Sequence, residues 1–214
     1  MIKALIFDFD NTLFPTRTIT DEVFEGVYAL MQDYRGSISE EKLEAIKKEL
    51  AGTAFQKVAD QFVLPEGLKK RGIKILNETT YHKPIKLFKD YALVKSISLP
   101  KFLVTFGFMK LQQSKIDSAG VRHDFNEVIV VDPEISKETK RDVFVRLMEK
   151  YGYKADELIA VGDDPESEIG AARDLGIKTY LFDPESHFKS KGATWHETHY
   201  EKLVKILKTD KEKQ

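Results

Sequence analysis

The sequence predicts an α/β domain built on a parallel sheet, interrupted after its first strand by an all-helical insertion. Short runs rich in Val, Ile and Phe recur along the chain and are apolar on both faces, as strands covered on both sides must be. Helical stretches separate the later runs. The segment from Thr16 to about His82 holds no convincing strand, and sixty residues without structure do not fit a compact domain.

Ala4 to Phe9 reads as the first strand. Asp21 to Tyr34 then places Val23, Val27, Leu30, Met31 and Tyr34 on one helical face, and Ser39 caps a second helix beginning Glu40-Glu41-Lys42. Gly52 and Pro65 punctuate the rest of the insertion. Further strands are expected at Phe102 to Phe106, Val128 to Val131, Leu158 to Val161 and Thr179 to Phe182. A helix over Ser136 to Lys150 carries Val143, Phe144, Leu147 and Met148 at helical spacing, and another over Glu166 to Leu175 stops at Gly176. The charged tail from Lys208 to Gln214 is expected to fray. These boundaries assign 1–15 and 83–214 to the sheet domain and 16–82 to the insertion.

Composition narrows the partners. Lys and Arg number 34 against 35 Asp and Glu, a formal charge of -1, so no global field favours nucleic acid or an anionic membrane. With no cysteine there is neither a disulfide framework nor a thiolate metal site, which fits a reducing compartment. Ala4 to Phe7 is too short for a signal segment or membrane span, and acids come at once after it. A cytoplasmic protein acting on a small molecule is the expectation.

Chemistry gathers at the expected strand ends, where open α/β sheets carry their functional groups. Strand alternation puts Asp8 and Asp10 on one face, opposite Phe7 and Phe9. Two neighbouring carboxylates repel, so without a cation between them one holds its proton. The second strand brings Thr105, Phe106 and Gly107. After the third come Lys137 and Lys140, and the fourth ends in Gly162-Asp163-Asp164 with Glu168 beyond. Singly, each reads more simply as a turn, a cap, a strand threonine or a solvated lysine. Together and in register, they read as one site.

Those four groups, in that order, resemble the motifs of the haloacid dehalogenase superfamily, most of whose members are Mg²⁺-dependent phosphatases or phosphotransferases. The resemblance implies a Rossmann-like three-layer domain with a helical cap that closes over the site. It implies Asp8 as nucleophile forming an aspartyl-phosphate, and Asp10 as acid and then base. Asp8, the Asp10 backbone carbonyl and Asp163 would hold Mg²⁺, with Thr105 and the motif-three lysine on the phosphoryl oxygens. Backbone amides of Phe9 and Asp10 would join them, with Phe106 and Gly107 beside the substrate, a small phosphorylated metabolite. The third motif departs from the common Lys-Pro pattern. Lys140 is favoured because it stands four residues before Phe144, with Lys137 in reserve. Asp164 and Glu168 are read as groups that orient the lysine or a metal-bound water. Phe14 and Arg17 are expected to face the cleft, Arg17 toward a substrate anion or in a salt bridge. His196 and His199 lack a zincin pattern and read as surface residues, while His82, His123 and His187 are isolated. Dehalogenases are disfavoured because Asp10 is present. A phosphosugar mutase and a non-catalytic phosphate-binding protein remain as alternatives.

Overall fold

The computed structural model describes residues 1–189 and 192–212. Six parallel strands form one sheet: β1 (Ala4–Phe7), β2 (Lys101–Phe106), β3 (Glu127–Val131), β4 (Leu158–Gly162), β5 (Lys178–Phe182) and β6 (Trp195–Glu197). Their order is β3-β2-β1-β4-β5-β6, the doubly wound Rossmann-like order, so the chain reverses direction across the sheet beside β1. Phe7 pairs with Leu103 on one side and Val161 on the other, which brings the carboxyl ends of β1, β2 and β4 level. A crevice for ligands opens there.

Before β2 run α1 (Thr20–Val23), α2 (Glu25–Gln32), α3 (Glu40–Leu50), α4 (Phe55–Gln61), α5 (Glu66–Glu78) and the short α6 (Tyr91–Lys95). Then come α7 (Met109–Ala119), α8 (Lys140–Tyr151), α9 (Glu168–Asp174) and α10 (Glu201–Glu212). Strand alternation divides the core. Leu5, Phe7, Leu103 and Val161 pack with Leu111 and Ile116 of α7, Leu203 of α10 and the insertion's own apolar residues. Ala4, Ile6, Phe102 and Val104 pack on the other face with Val143, Phe144 and Leu147 of α8 and Ala172 of α9. Three layers result.

Most elements stand where the pattern puts them, and the differences are local. β1 ends at Phe7 rather than Phe9, and beyond it Asn11 sits at φ 54°; Asn is among the few residues that tolerate this region. Asp8 and Asp10 therefore do not share a strand face. The helix expected over Asp21 to Tyr34 is interrupted at Phe24. The helix expected from Ser136 begins at Lys140, since Thr139 and Asp142 form a reciprocal capping box there. Helix α9 starts at Glu168 because the Asp164 carboxylate accepts the Glu166 and Ser167 amides and holds them in a turn. Residues 208–212 are helical rather than frayed, and the Ile2 amide donates to Asp210; residues 213–214 lie outside the described residues. β6 has no counterpart in the apolar pattern: His196, read as surface, lies on this edge strand with its ring on the buried Asp183 at 2.9 Å. Among the described residues no helix is long and apolar enough to cross a membrane.

Candidate active site

The site forms where β1, β2 and β4 end. The Asp8 amide still donates to the Val161 carbonyl at 2.9 Å, so the first residue beyond β1 is fixed by β4. Its carboxylate is buried and takes the Lys140 ammonium at 2.6 Å. Lys140 opens α8, and its Nζ also donates to Glu168 at 2.7 Å. Glu168 in turn accepts the Asp164 amide on its other oxygen at 2.9 Å. A Cβ at position 162 would overlap the Glu168 carboxylate, which accounts for Gly162. The Thr12 hydroxyl lies 3.3 Å from Asp8 and 3.2 Å from Asp163, and so stands between the two acids.

Asp10 turns to other partners. Both its oxygens accept from Lys115 of α7, at 2.6 and 2.8 Å. Gln112, one turn earlier, shares the two protons of its Nε2 among Asp10 at 2.9 Å, the Thr105 hydroxyl at 2.7 Å and the Phe106 carbonyl at 2.8 Å.

Carboxylate oxygens of Asp8, Asp163 and Glu168 all lie within 4.8 Å of one another. Three carboxylates, two buried and one half-buried, against one ammonium leave two uncompensated negative charges when all are ionised. Burial, opposed by Lys140 and reinforced by Glu168, pushes the Asp8 carboxyl up to about 7. Burial, with Glu168 and Asp8 beside it, raises Asp163 well above the usual carboxylate range. Burial disfavours the Lys140 ammonium, but Asp8 and Glu168 outweigh it and keep the lysine charged.

This arrangement sits on a chain whose residues 2–176 match the model of the haloacid dehalogenase-like hydrolases. The chain belongs to that family. The hydrolase is 26% identical over 192 residues to a glyceraldehyde 3-phosphate phosphatase of Methanocaldococcus jannaschii, covering 84% of each chain. It is 23% identical over 193 residues to a protein of the same name from Methanopyrus kandleri, covering 84% of this chain and 83% of that one. A haloacid dehalogenase-like family hydrolase from Streptococcus pneumoniae shares the fold at a TM-score of 0.71 and 16% identity, over 96% of this chain and 98% of that one.

In this haloacid dehalogenase-like hydrolase a cleft of about 610 Å³ brings together Asp8, Asp10, Thr105, Phe106, Gly107, Lys140, Asp163, Asp164 and Glu168. Its lining also includes Ile19, Val23, Leu50, Phe55 and Leu76 from the segment before β2. Lys137 is exposed and does not line the cleft. Arg17 does not line it either; its exposed guanidinium pairs with Glu185. The rings of Phe9 and Phe14 are fully buried against each other, 4.9 Å between centroids, so Phe14 is a core residue rather than a cleft residue. The Gly107 amide is taken by the Val131 carbonyl at 3.0 Å and is not free for an anion. Thr12, Gln112 and Lys115, whose side chains bond Asp8, Asp10 or Asp163, have no role assigned from the sequence. Thr12 lies within the first motif. Gln112 and Lys115 give no signal, being polar residues one turn apart on a helix with no other mark.

Proposed function

We propose that this hydrolase is a phosphoric monoester hydrolase that cleaves a small phosphorylated metabolite through an aspartyl-phosphate on Asp8. The observation that carries the reading is the convergence of Asp8, Asp163 and Glu168 around Lys140 at the sheet's switch point, inside one cleft with Thr105. The phosphatase names of the archaeal relatives support it, and glyceraldehyde 3-phosphate is the first substrate to try.

In the proposed reaction an Asp8 carboxylate oxygen attacks phosphorus. The bond from phosphorus to the ester oxygen breaks, and that oxygen takes a proton from Asp10. Water then attacks the phosphorus, Asp10 removes the water's proton, and the bond to Asp8 breaks to release inorganic phosphate and the free carboxylate. Thr105 accepts from Gln112, so its own hydroxyl proton is available to a phosphoryl oxygen, and Lys140 supplies fixed positive charge.

The donors fit Mg²⁺, a hard ion that takes a few carboxylate or carbonyl oxygens and keeps water and phosphate in its other positions. Asp8 and Asp163, with the Asp10 backbone carbonyl, would hold the ion, while Glu168 holds the Lys140 ammonium and the Asp164 amide. Bound there, it would neutralise charge between the attacking carboxylate and the ester. Residues 16–82 are proposed as the cap, because Ile19, Val23, Leu50, Phe55 and Leu76 line the cleft that holds the acids.

The test is phosphate release from a panel of phosphorylated metabolites with Mg²⁺, run with the native protein and Asp8→Asn. Turnover confined to the native protein is expected. Undiminished turnover by Asp8→Asn refutes the nucleophile, and no release from any ester refutes the phosphatase.

A further inference from the structure

The Asp10 carboxylate does not stand free in the cleft. It accepts three hydrogen bonds, all from one face of α7: two from Lys115 and one from Gln112. Both donors are buried, at 6% and 2% exposure, whereas the Asp10 side chain keeps 29%. The ammonium also lies 5.7 Å from the ring centroids of Phe9 and Phe14, so two aromatic faces and a carboxylate fix its place. Helix α7 is anchored in turn. Its first amide, Met109, donates to Asp132 at 2.7 Å, and Ser114 and Ser118 bond the backbone of Tyr81 at 2.9 and 2.8 Å.

A buried ion pair seldom adds net stability over an apolar pair of the same size. Stability alone therefore does not account for a lysine here, where a methionine could lie against Phe9 and Phe14 instead. What the ammonium provides, and an apolar chain does not, is a single orientation for the Asp10 carboxylate. Gln112 extends the same control to Thr105, because one amide nitrogen reaches both side chains.

Resting on the reading of Asp10 as the proposed acid and base, we propose that Lys115 and Gln112 are positioning residues. They hold Asp10 and Thr105 in the geometry the reaction uses and, although both line the cleft, act through those two residues. The proton still passes between Asp10 and the ester oxygen or water; α7 sets where the carboxyl is when it does so. A misplacement of about 1 Å is enough to cost on the order of 10²-fold in rate.

The experiment compares Lys115→Met and Asp10→Asn, singly and combined, on an alkyl phosphate and on 4-nitrophenyl phosphate, whose leaving group needs little protonation. Lys115→Met is expected to lower kcat for the alkyl ester about 10²-fold with KM nearly unchanged, and to lower kcat/KM for the aryl ester at least tenfold less. Combined with Asp10→Asn it should add almost nothing, since it acts through that residue. Equal losses on both esters, or losses that multiply in the double variant, overturn the proposal. Should Lys115→Met fail to fold, Lys115→Gln carries the same comparison, with the same two outcomes decisive. The two readings fail differently. An Asp10→Asn protein without the ester-dependent loss refutes Asp10 as the acid, whereas that loss in Asp10→Asn but not in the Lys115 variants refutes only the role of α7.

Discussion

Lys140 is the positive charge paired with the buried acids Asp8 and Glu168, with the half-buried Asp163 close by, so its removal is the most revealing change at one residue. Lys140→Met leaves Asp8 and Glu168 without their shared partner. Breaking a buried pair from one side costs about 3–5 kcal/mol, and urea denaturation without divalent cation should show a loss of that size. An unchanged midpoint contradicts this balance of charge. Gly162→Ala tests a steric point. Its Cβ would meet the Glu168 carboxylate, so a loss of about 1–3 kcal/mol and displacement of Glu168 from Lys140 are expected. A thermal melt reads the first, and the structure of the variant reads the second. At this scale the sequence is informative where a residue type is chemically scarce. Asp8, Thr105, Lys140 and Asp163 stand out because acids and a lysine at strand ends need a reason. Lys115 and Gln112 do not, because burial of a helical lysine depends on how α7 docks on the sheet, and no local pattern records that.

Among the elements, β1 to β5 are legible from apolar runs, α3 from its Ser39 cap and α8 from the helical spacing of its apolar residues, although the Thr139 cap that sets its start is not. β6 is not, for a different reason in kind. Its three residues are half-buried, and what holds them is backbone pairing to β5 together with Asp183. Asp183 accepts the His187 and Phe188 amides and the His196 ring, at 2.9, 3.0 and 2.9 Å. Although burial opposes it, these donors hold the carboxyl below its ordinary value of 3.8. An acid whose pKa is depressed by folding contributes stability above its unfolded pKa and loses it as pH falls through the folded value. Asp183→Asn should therefore cost about 1–3 kcal/mol at pH 7, with the gap to the native protein closing below about pH 4. Melts at a series of pH values check this, and a gap that widens toward acid contradicts it.

For the whole molecule, the sheet order brings Asp8, Thr105 and Asp163, far apart in the chain, to one crevice, which residues of the helices before β2 also line. That topology is readable as a class, since parallel strands with intervening helices have few arrangements. The packing of the insertion is not, because α5 rests on α7 through contacts between segments some forty residues apart. The charge excess at the crevice has a global consequence. Mg²⁺ binding to the folded state alone raises stability by about 2.7 kcal/mol at a hundredfold excess over Kd, so the native protein should melt higher with Mg²⁺ and Asp163→Asn should not respond. An equal rise in both places the ion elsewhere.

The most direct test of the account is rapid acid quench during turnover, followed by mass spectrometry of the peptide that contains Asp8. A phosphoryl group on the Asp8 side chain, formed and consumed within the catalytic cycle, is the expected result. Sustained turnover with Asp8 unmodified at every time point, or with the phosphoryl group on another residue, contradicts it.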